Sequence, residues 1–298
     1  MQISPILVPY DHDVARWGTA TGPQTLVNGG LLEHVRAAGH TVAAPIEITL
    51  PRGERTRDSV TNLARIGARL SRAVAEAVSR ADGFALVLAG NCPHAVGAVG
   101  GLARAGFVPG IVWYDAHGDL NTFATTETGF IGGLPFAVAL GWDLDDWRLA
   151  CGLEHPVRAE AAALLGANDL DAAELDALAR HPIARLDAAE LDPAGTRTTG
   201  LLAPRAAEAE AWYLHLDFDV VGPEHVPGAT TPSPAPADGA SVLASLRAAA
   251  ASVSLRACSL ATYNAAGDPE RRGLPYVSAA IDAILAGVVA HRALRAAA

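Results

Sequence analysis

The chain contains no lysine, so arginine supplies every fixed cation among its 22 basic residues, against 32 acidic ones. The formal net charge of -10 excludes the broad basic surface that nucleic acid requires. Cysteine occurs only three times, at Cys92, Cys151 and Cys258. An odd, small number in a chain of 298 residues does not make a disulfide framework, and a cytoplasmic location is expected. No segment supplies about 18 unbroken apolar residues, so no membrane span is expected. The opening MQISPILVPYDHD has neither a basic segment nor a long apolar run, and a signal peptide is not expected. No Pro/Gly/Ser-rich linker and no internal repeat divides the sequence, which is read as a single domain over 1–298.

What is present is alternation. Short apolar runs read as strands at Ile3 to Val8, Thr41 to Ala44, Phe84 to Ala89, Gly110 to Tyr114, Arg148 to Cys151, Ile183 to Leu186, Trp212 to Asp219 and Ser254 to Thr262. Between them lie helical patterns. One opens at Gly22-Pro23 and closes at Gly39; a long one is capped by Asp58 and has Val60, Leu63, Ile66, Leu70, Val74 and Val78 along one face. Others cover Ala95 to Ala105, Leu134 to Leu140, Asp238 to Ala251 and Tyr276 to Ala293, with Ala/Leu-rich segments near 158–166 and 171–180. The Ala-rich tail after His291 is expected to fray. Continuous apolar strands alternating with helices imply an α/β fold. Its mostly parallel sheet is covered on both faces, a three-layer α/β/α arrangement. Ligands of such sheets bind beyond the carboxyl ends of the strands.

Three of the apolar runs end in polar clusters. Phe84 to Ala89 leads into Gly90-Asn91-Cys92-Pro93-His94. Gly110 to Tyr114 leads into Asp115-Ala116-His117-Gly118-Asp119. Trp212 to Leu216 leads into Asp217-Phe218-Asp219. In extended chain the period of two would put Asp115, His117 and Asp119 on one side, and Asp217 with Asp219 on one side. Four carboxylates in one pocket repel strongly unless cations neutralise them. Carboxylates mixed with imidazole suit Mn, Fe, Co or Zn better than Ca. Two such ions sharing carboxylates activate water for hydrolysis.

These residues resemble the ureohydrolases, the family of arginase and agmatinase. DAHGDLNT at 115–122 is similar to that family's DAHxDxNT signature, and DFDVVGPEHVPGATTP at 217–232 to its DxDxxDPxxxPxTGTP signature. The N-terminal GPQTLVNGGLLEHVRAAGH resembles the family's GP-led first helix, so the likeness runs over nearly the whole chain. The resemblance implies an arginase-like sheet of about eight parallel strands and two Mn2+ ions, with Fe2+, Co2+ or Zn2+ as alternatives. By position, Asp115, Asp119 and Asp217 would serve one ion. His117 and Asp219 would serve the other, with Asp115 and Asp217 bridging. Asn121 and Thr231 would line the pocket for a small guanidino or amidine substrate. Asp119 would also be catalytic, hydrogen-bonding the metal-bridging hydroxide and passing its proton to the leaving amine. The family's trimers or hexamers imply a homo-oligomer.

The sequence departs from the family pattern in three places. Cys92 falls where the family has a histidine ligand, with His94 as the alternative if the loop shifts. Gly132 falls at the family's catalytic histidine. Thr262 falls at the carboxylate that pairs with a cationic guanidinium, and losing it removes the counter-charge for a cation. Together they fit a less basic amidine that enters neutral, such as an N-hydroxyguanidine. The pattern resembles most the branch containing the N-omega-hydroxy-L-arginine hydrolase of D-cycloserine biosynthesis. The expectation is therefore a metallohydrolase of a linear amidine C–N bond. The alternatives are an arginase-, agmatinase- or formiminoglutamase-like activity, or an inactive metal-binding relative. A two-metal phosphoesterase would want Arg near the motifs, and none flanks them.

Other residues carry weaker readings. His215 shares a face with Asp217 and is either a neighbour that orients a ligand or a packed residue. His155 and Glu160 are candidates for substrate contact or simple surface residues. His12, His34, His40, His181, His225 and His291 carry no motif and read as structural or exposed. Cys151 and Cys258 read as core residues inside strands.

Overall fold

Nine strands, every pairing parallel, form the central sheet, eight of them in one line. The structure is a computed structural model and describes residues 1–297. Strand β1 (Gln2–Val8) leads into a small hairpin, β2 (Tyr10–Asp11) and β3 (Val14–Ala15), then helices α1 (Gly22–Asn28) and α2 (Leu31–Ala37). Next come β4 (Thr41–Val42), β5 (Ile46–Glu47), α3 (Ser59–Val78), β6 (Gly83–Ala89), α4 (Ala95–Arg104) and β7 (Pro109–Tyr114). Then follow α5 (Pro135–Ala139), α6 (Asp145–Ala150), β8 (Ala162–Leu165), α7 (Ala172–Arg180), β9 (Ala184–Leu186) and α8 (Thr196–Leu202). The chain closes with β10 (Ala211–Asp217), α9 (Gly239–Ser252), β11 (Leu255–Ala261) and α10 (Leu274–Ala297).

The sheet order is β4-β1-β6-β11-β10-β7-β8-β9, with β5 also paired to β1. Consecutive strands β6 and β7 are therefore separated by β11 and β10, which arrive much later in the chain. Because all run parallel, the four central strands present their carboxyl ends at one edge. Their residues are buried almost throughout, which is why they read as unbroken apolar runs. Neighbouring residues of β7 reach opposite layers. Trp113 stacks on Phe136 of α5 at 5.0 Å, and the Tyr114 hydroxyl meets Ser245 of α9 at 2.7 Å.

The long helix α3 begins at the cap expected for it: Asp58 accepts the Thr61 amide at 2.8 Å. Its buried stripe includes Leu63, Ile66, Leu70 and Val74, the i, i+3, i+4 spacing of one helix face. Helix α10 is long and apolar enough to cross a membrane by length and composition alone. In the fold it packs against α9 and α2, burying Val277, Ile281, Ile284, Leu285 and Val288.

Several elements differ from expectation. The run 148–151 is not extended. Asp145 and Asp146 favour a helix N-terminus, and α6 forms there, burying Trp147 and ending at Cys151. Cys151 therefore lies at a helix end, its sulfur against Gly67 of α3; Cys258 does lie in a strand. The segment near 158–166 yields β8 rather than a helix. The tail does not fray before Ala297, as suits the high helix propensity of alanine. Strand β10 stops at Asp217, and Asp219 lies in the single 3-10 turn that follows.

Candidate metal centre and its pocket

The three polar clusters meet at the carboxyl edge, and the means is a turn rather than strand alternation. Asp115 Oδ1 accepts the amide of His117 at 2.8 Å, and Asp217 Oδ1 accepts the amide of Asp219 at 2.8 Å. Each aspartate thus curls the chain back on itself as its strand ends. His117 and Asp219 are brought over the ends of β7 and β10 by this local bond. Asp219 in turn takes the Ala116 amide at 3.1 Å, tying the two strand ends together. Asp119 adopts φ 51, a left-handed backbone that ends the run.

Two ligand-like groups result, sharing Asp115. In one, single donor atoms of Cys92, Asp115, His215 and Asp217 all lie within 4.8 Å of one another. In the other, those of Asp115, His117 and Asp219 do the same. Cys92 Sγ lies 2.9 Å from Asp217 Oδ2 and 4.0 Å from Asp115 Oδ2. His117 Nδ1 lies 3.2 Å from Asp115 Oδ1 and 3.1 Å from Asp219 Oδ2. Asp119 belongs to neither group, but lines the same cavity with a buried, unpartnered Oδ2.

Cys92, not His94, faces this centre. The His94 ring turns away to bond the Tyr10 carbonyl at 2.8 Å. Gly90 makes this possible, since a Cβ there would lie 2.2 Å from the same carbonyl oxygen, closer than any side chain tolerates. The β2 turn can thus press against the end of β6, leaving Cys92 aimed at the carboxylates.

His215 joins the centre as strand periodicity allows. Its Nδ1 meets Ser259 Oγ at 2.8 Å, its ring lies 4.0 Å from that of Trp113, and its Nε2 is buried without a partner. Burial pushes this imidazole down to about 4, so it is held neutral with a lone pair free.

The electrostatics are those of a site lacking its counter-charge. Burial, then Asp115, pushes Asp217 up to about 7. Burial and neighbouring carboxylates raise Asp119 and Asp219 well above the usual carboxylate range. Burial and the same acids raise the Cys92 thiol. Burial opposes the charge on His117, yet Asp115 and Asp219 outweigh it and lift the imidazole to about 12. Bound cations reverse each of these preferences by giving carboxylate and thiolate an opposite charge nearby. The unpartnered Oδ2 of Asp119 and Nε2 of His215 are further acceptor positions that a cation would satisfy. The donor set therefore fits two ions of the Mn, Fe, Co or Zn type.

The centre opens into a cavity of about 400 Å³. Asn121, Gly132, Thr231 and Thr262 all line it. Asn121 donates to Asp171 at 2.8 Å. Thr231 is exposed and left-handed at φ 56. Thr262, at φ 65, donates its hydroxyl to Asp217 and accepts the Phe218 amide at 3.3 Å. Three acids that sequence reasoning passed over, Asp169, Asp171 and Glu174, also line it. Glu174 receives the Leu120 and Asp171 amides, both at 3.0 Å, bracing the loop after β7 against the start of α7. The signal was the acid-rich Asn168-Asp169-Leu170-Asp171 directly after β8. His155 and Glu160, read as candidates for substrate contact or as surface residues, lie away from this cavity. His155 lines a separate cavity beside Pro109 at the other end of β7, and Glu160 is exposed just before β8. His12, read as having no role, lines the main cavity as well.

A buried cluster of carboxylates, thiol and imidazole at the carboxyl edge of a parallel sheet defines a metal-binding hydrolase. The family model "Arginase family" matches residues 2–287. Arginase of Bacillus subtilis (strain 168) is 31% identical over 235 residues, covering 77% of this chain and 79% of that protein. Arginase of Bacillus caldovelox is 30% identical over 239 residues, covering 77% and 80%. The crystal structure of arginase from Bacillus cereus superposes with a TM-score of 0.85 at 26% identity, covering 95% of this chain and 98% of that one. The chain belongs to the arginase family, whose members are hydrolases of linear amidines.

Proposed function

We propose that the chain hydrolyses a C–N bond of a guanidino compound that enters uncharged at the amidine, an N-hydroxyguanidine such as N-omega-hydroxy-L-arginine being the leading example. The observation that carries this reading is Thr262. It stands beside the metal centre where the resemblance calls for a guanidinium-binding carboxylate, and its hydroxyl is committed to Asp217. A neutral amidine needs no counter-charge at that point. The likeness to the N-hydroxyarginine branch in Thr126-Glu127-Thr128-Gly129-Phe130-Ile131-Gly132-Gly133 supports that branch more than any one substrate within it.

The rest of the cavity supports an amino-acid skeleton. Asp169 and Asp171 line it, whereas no arginine does so among the described residues. Such a wall attracts an ammonium group and repels phosphate, which disfavours a phosphoesterase. Asn121 fixes the Asp171 carboxylate and Thr231 stands at the cavity surface, so both are placed to orient substrate.

Two Mn2+ ions, held by Cys92, Asp115, His215 and Asp217 on one side and by Asp115, His117 and Asp219 on the other, would supply Lewis acidity and an activated water. Asp119 lies at the cavity wall with Oδ2 free, placed to orient the attacking water and take its proton. Thr262 and the Asp219 amide hold Asp217 in position. The buried carboxylates carry a desolvation cost that bound cations offset, which supports metal binding; turnover is what separates a hydrolase from an inactive metal-binding relative. The test is a panel of arginine, agmatine, formiminoglutamate and N-hydroxyarginine given to the Mn-loaded protein. Hydroxyurea release from N-hydroxyarginine well above urea release from arginine is expected. A preference for arginine would overturn the substrate assignment.

A further inference from the structure

An imidazole backed by a carboxylate stands in the cavity wall with its second nitrogen unused. His12 Nδ1 lies 3.1 Å from Asp11 Oδ1, while its Nε2 is buried and has no hydrogen-bond partner. Both residues line the main cavity. The ring makes an edge-on contact with Phe130 at 5.0 Å, and Phe130 packs beside Gly132 as His12 Nε2 does. His12 is held at φ 51, a left-handed backbone that a non-glycine residue adopts only where its surroundings enforce it.

The imidazole is also connected to the metal centre. Asn91 donates to Asp11 at 2.9 Å, and its own carbonyl oxygen accepts the Cys92 amide at 2.8 Å. Asp11, which orients His12, is therefore tied to the residue beside the Cys92 ligand. A Cβ placed on Gly132 would lie 3.1 Å from His12 Nε2. The ring thus occupies the space beside the position where the resemblance puts a catalytic histidine that this chain lacks. Burial tends to raise the Asp11 carboxyl, but His12 and Asn91 outweigh it and hold it below the usual range.

We propose that His12 is the proton donor to the leaving nitrogen, oriented by Asp11, so that a residue of the N-terminal turn supplies the histidine absent at position 132. This rests on the hydrolase reading above. With Nδ1–H committed to the Asp11 carboxylate, Nε2 is the atom that gains and gives the proton. As water adds to the amidine carbon, Asp119 takes its proton. As the C–N bond breaks with its electron pair on nitrogen, His12 Nε2 gives that nitrogen a proton. Return of the proton from Asp119 to His12 restores both groups to their starting state.

The experiment compares wild type, His12→Ala, His12→Gln and Asp11→Asn, each checked for metal content and melting temperature, on whichever panel substrate the wild type turns over. His12→Ala and His12→Gln are expected to keep two ions and lower kcat about 10²- to 10⁴-fold with KM little changed. Imidazole in solution should restore part of the His12→Ala rate and none of the Asp11→Asn rate. In the zinc-loaded protein at alkaline pH, the 15N signals of His12 should show a protonated Nδ1 and an unprotonated Nε2, and Asp11→Asn should disturb that pattern. Turnover by His12→Ala within twofold of wild type, or a loss that follows metal content and does not respond to imidazole, overturns the role of His12 alone. A wild type that turns over no amidine overturns the hydrolase reading together with it.

Discussion

The thiol of Cys92 lies 2.9 Å from Asp217 Oδ2, although 125 residues separate them in sequence. Parallel strands β6 and β10 bring them together. In the protein without metal this is a thiol donating to a carboxylate; with a cation between them both become ligands. Loading with Co2+ should therefore give a sulfur-to-metal charge-transfer band in the near ultraviolet. Cys92→Ser should abolish that band and weaken metal binding about 10- to 100-fold, at least as much as loss of a group that merely orients a ligand. A band that survives in Cys92→Ser would place the sulfur outside the coordination sphere.

Asp115 is common to both ligand groups, whereas Asp219 belongs to only one. The two variants should differ in stoichiometry rather than merely in severity. After dialysis against trace metal, Asp115→Ala is expected to retain no ion and Asp219→Ala one. Elemental analysis of the dialysed proteins reads the difference directly. Equal metal content in the two variants would remove Asp115 from its bridging position.

Much of this centre was legible because apolar strands that stop at aspartate are unusual. The runs ending at Asp115 and Asp217 announce a strand edge and a charge cluster in the same few residues. What joined them was less legible. The period of two suggested alternation, whereas each aspartate instead bonds the amide two residues on and folds its neighbour inward. His12 could not be read at all. It comes from a short left-handed turn, carries no motif, and reaches the cavity only because Gly90 lets the turn of Tyr10 approach the end of β6. Asp169, Asp171 and Glu174 were passed over because the following strand was sought at 148–151, where α6 forms.

The raised carboxylates set a pH dependence for the metal-stripped protein. Asp217 holds its proton up to about 7 when folded but loses it near 4 when unfolded. Between these values the native state binds more protons, so stability is greatest at low pH and falls as pH rises through 7. Asp119 and Asp219 act in the same sense. His117, lifted to about 12, extends the decline above its ordinary range. His94 and His215, pushed down to about 4, act in the opposite sense between about 4 and 6.5, so the melting temperature of the stripped protein should fall from about pH 7 to about pH 9. Metal affinity should rise over the same interval, because each ion displaces those protons. A stripped protein that becomes more stable from about pH 7 to about pH 9 would contradict the arrangement.

Thr262, directly after β11, acts on the centre beside Ser259 of that strand, which meets His215. Its hydroxyl donates to Asp217 and accepts the Phe218 amide, and its φ of 65 is unfavourable for a β-branched side chain. Replacement by Ser keeps both bonds and removes the branch, so Thr262→Ser should leave metal binding intact and stability equal or slightly higher. Replacement by Val keeps the strained shape, leaves the buried Phe218 amide without its partner and leaves Asp217 Oδ1 with the Asp219 amide alone. Leaving such a group unsatisfied costs about 1–3 kcal/mol. Thr262→Val should therefore lower the melting temperature and weaken the ion at the Cys92 side, while the His117 side holds its ion. Chemical denaturation with and without metal separates the two effects, and a Thr262→Val protein as stable as Thr262→Ser would show that the hydroxyl does not hold Asp217 in place.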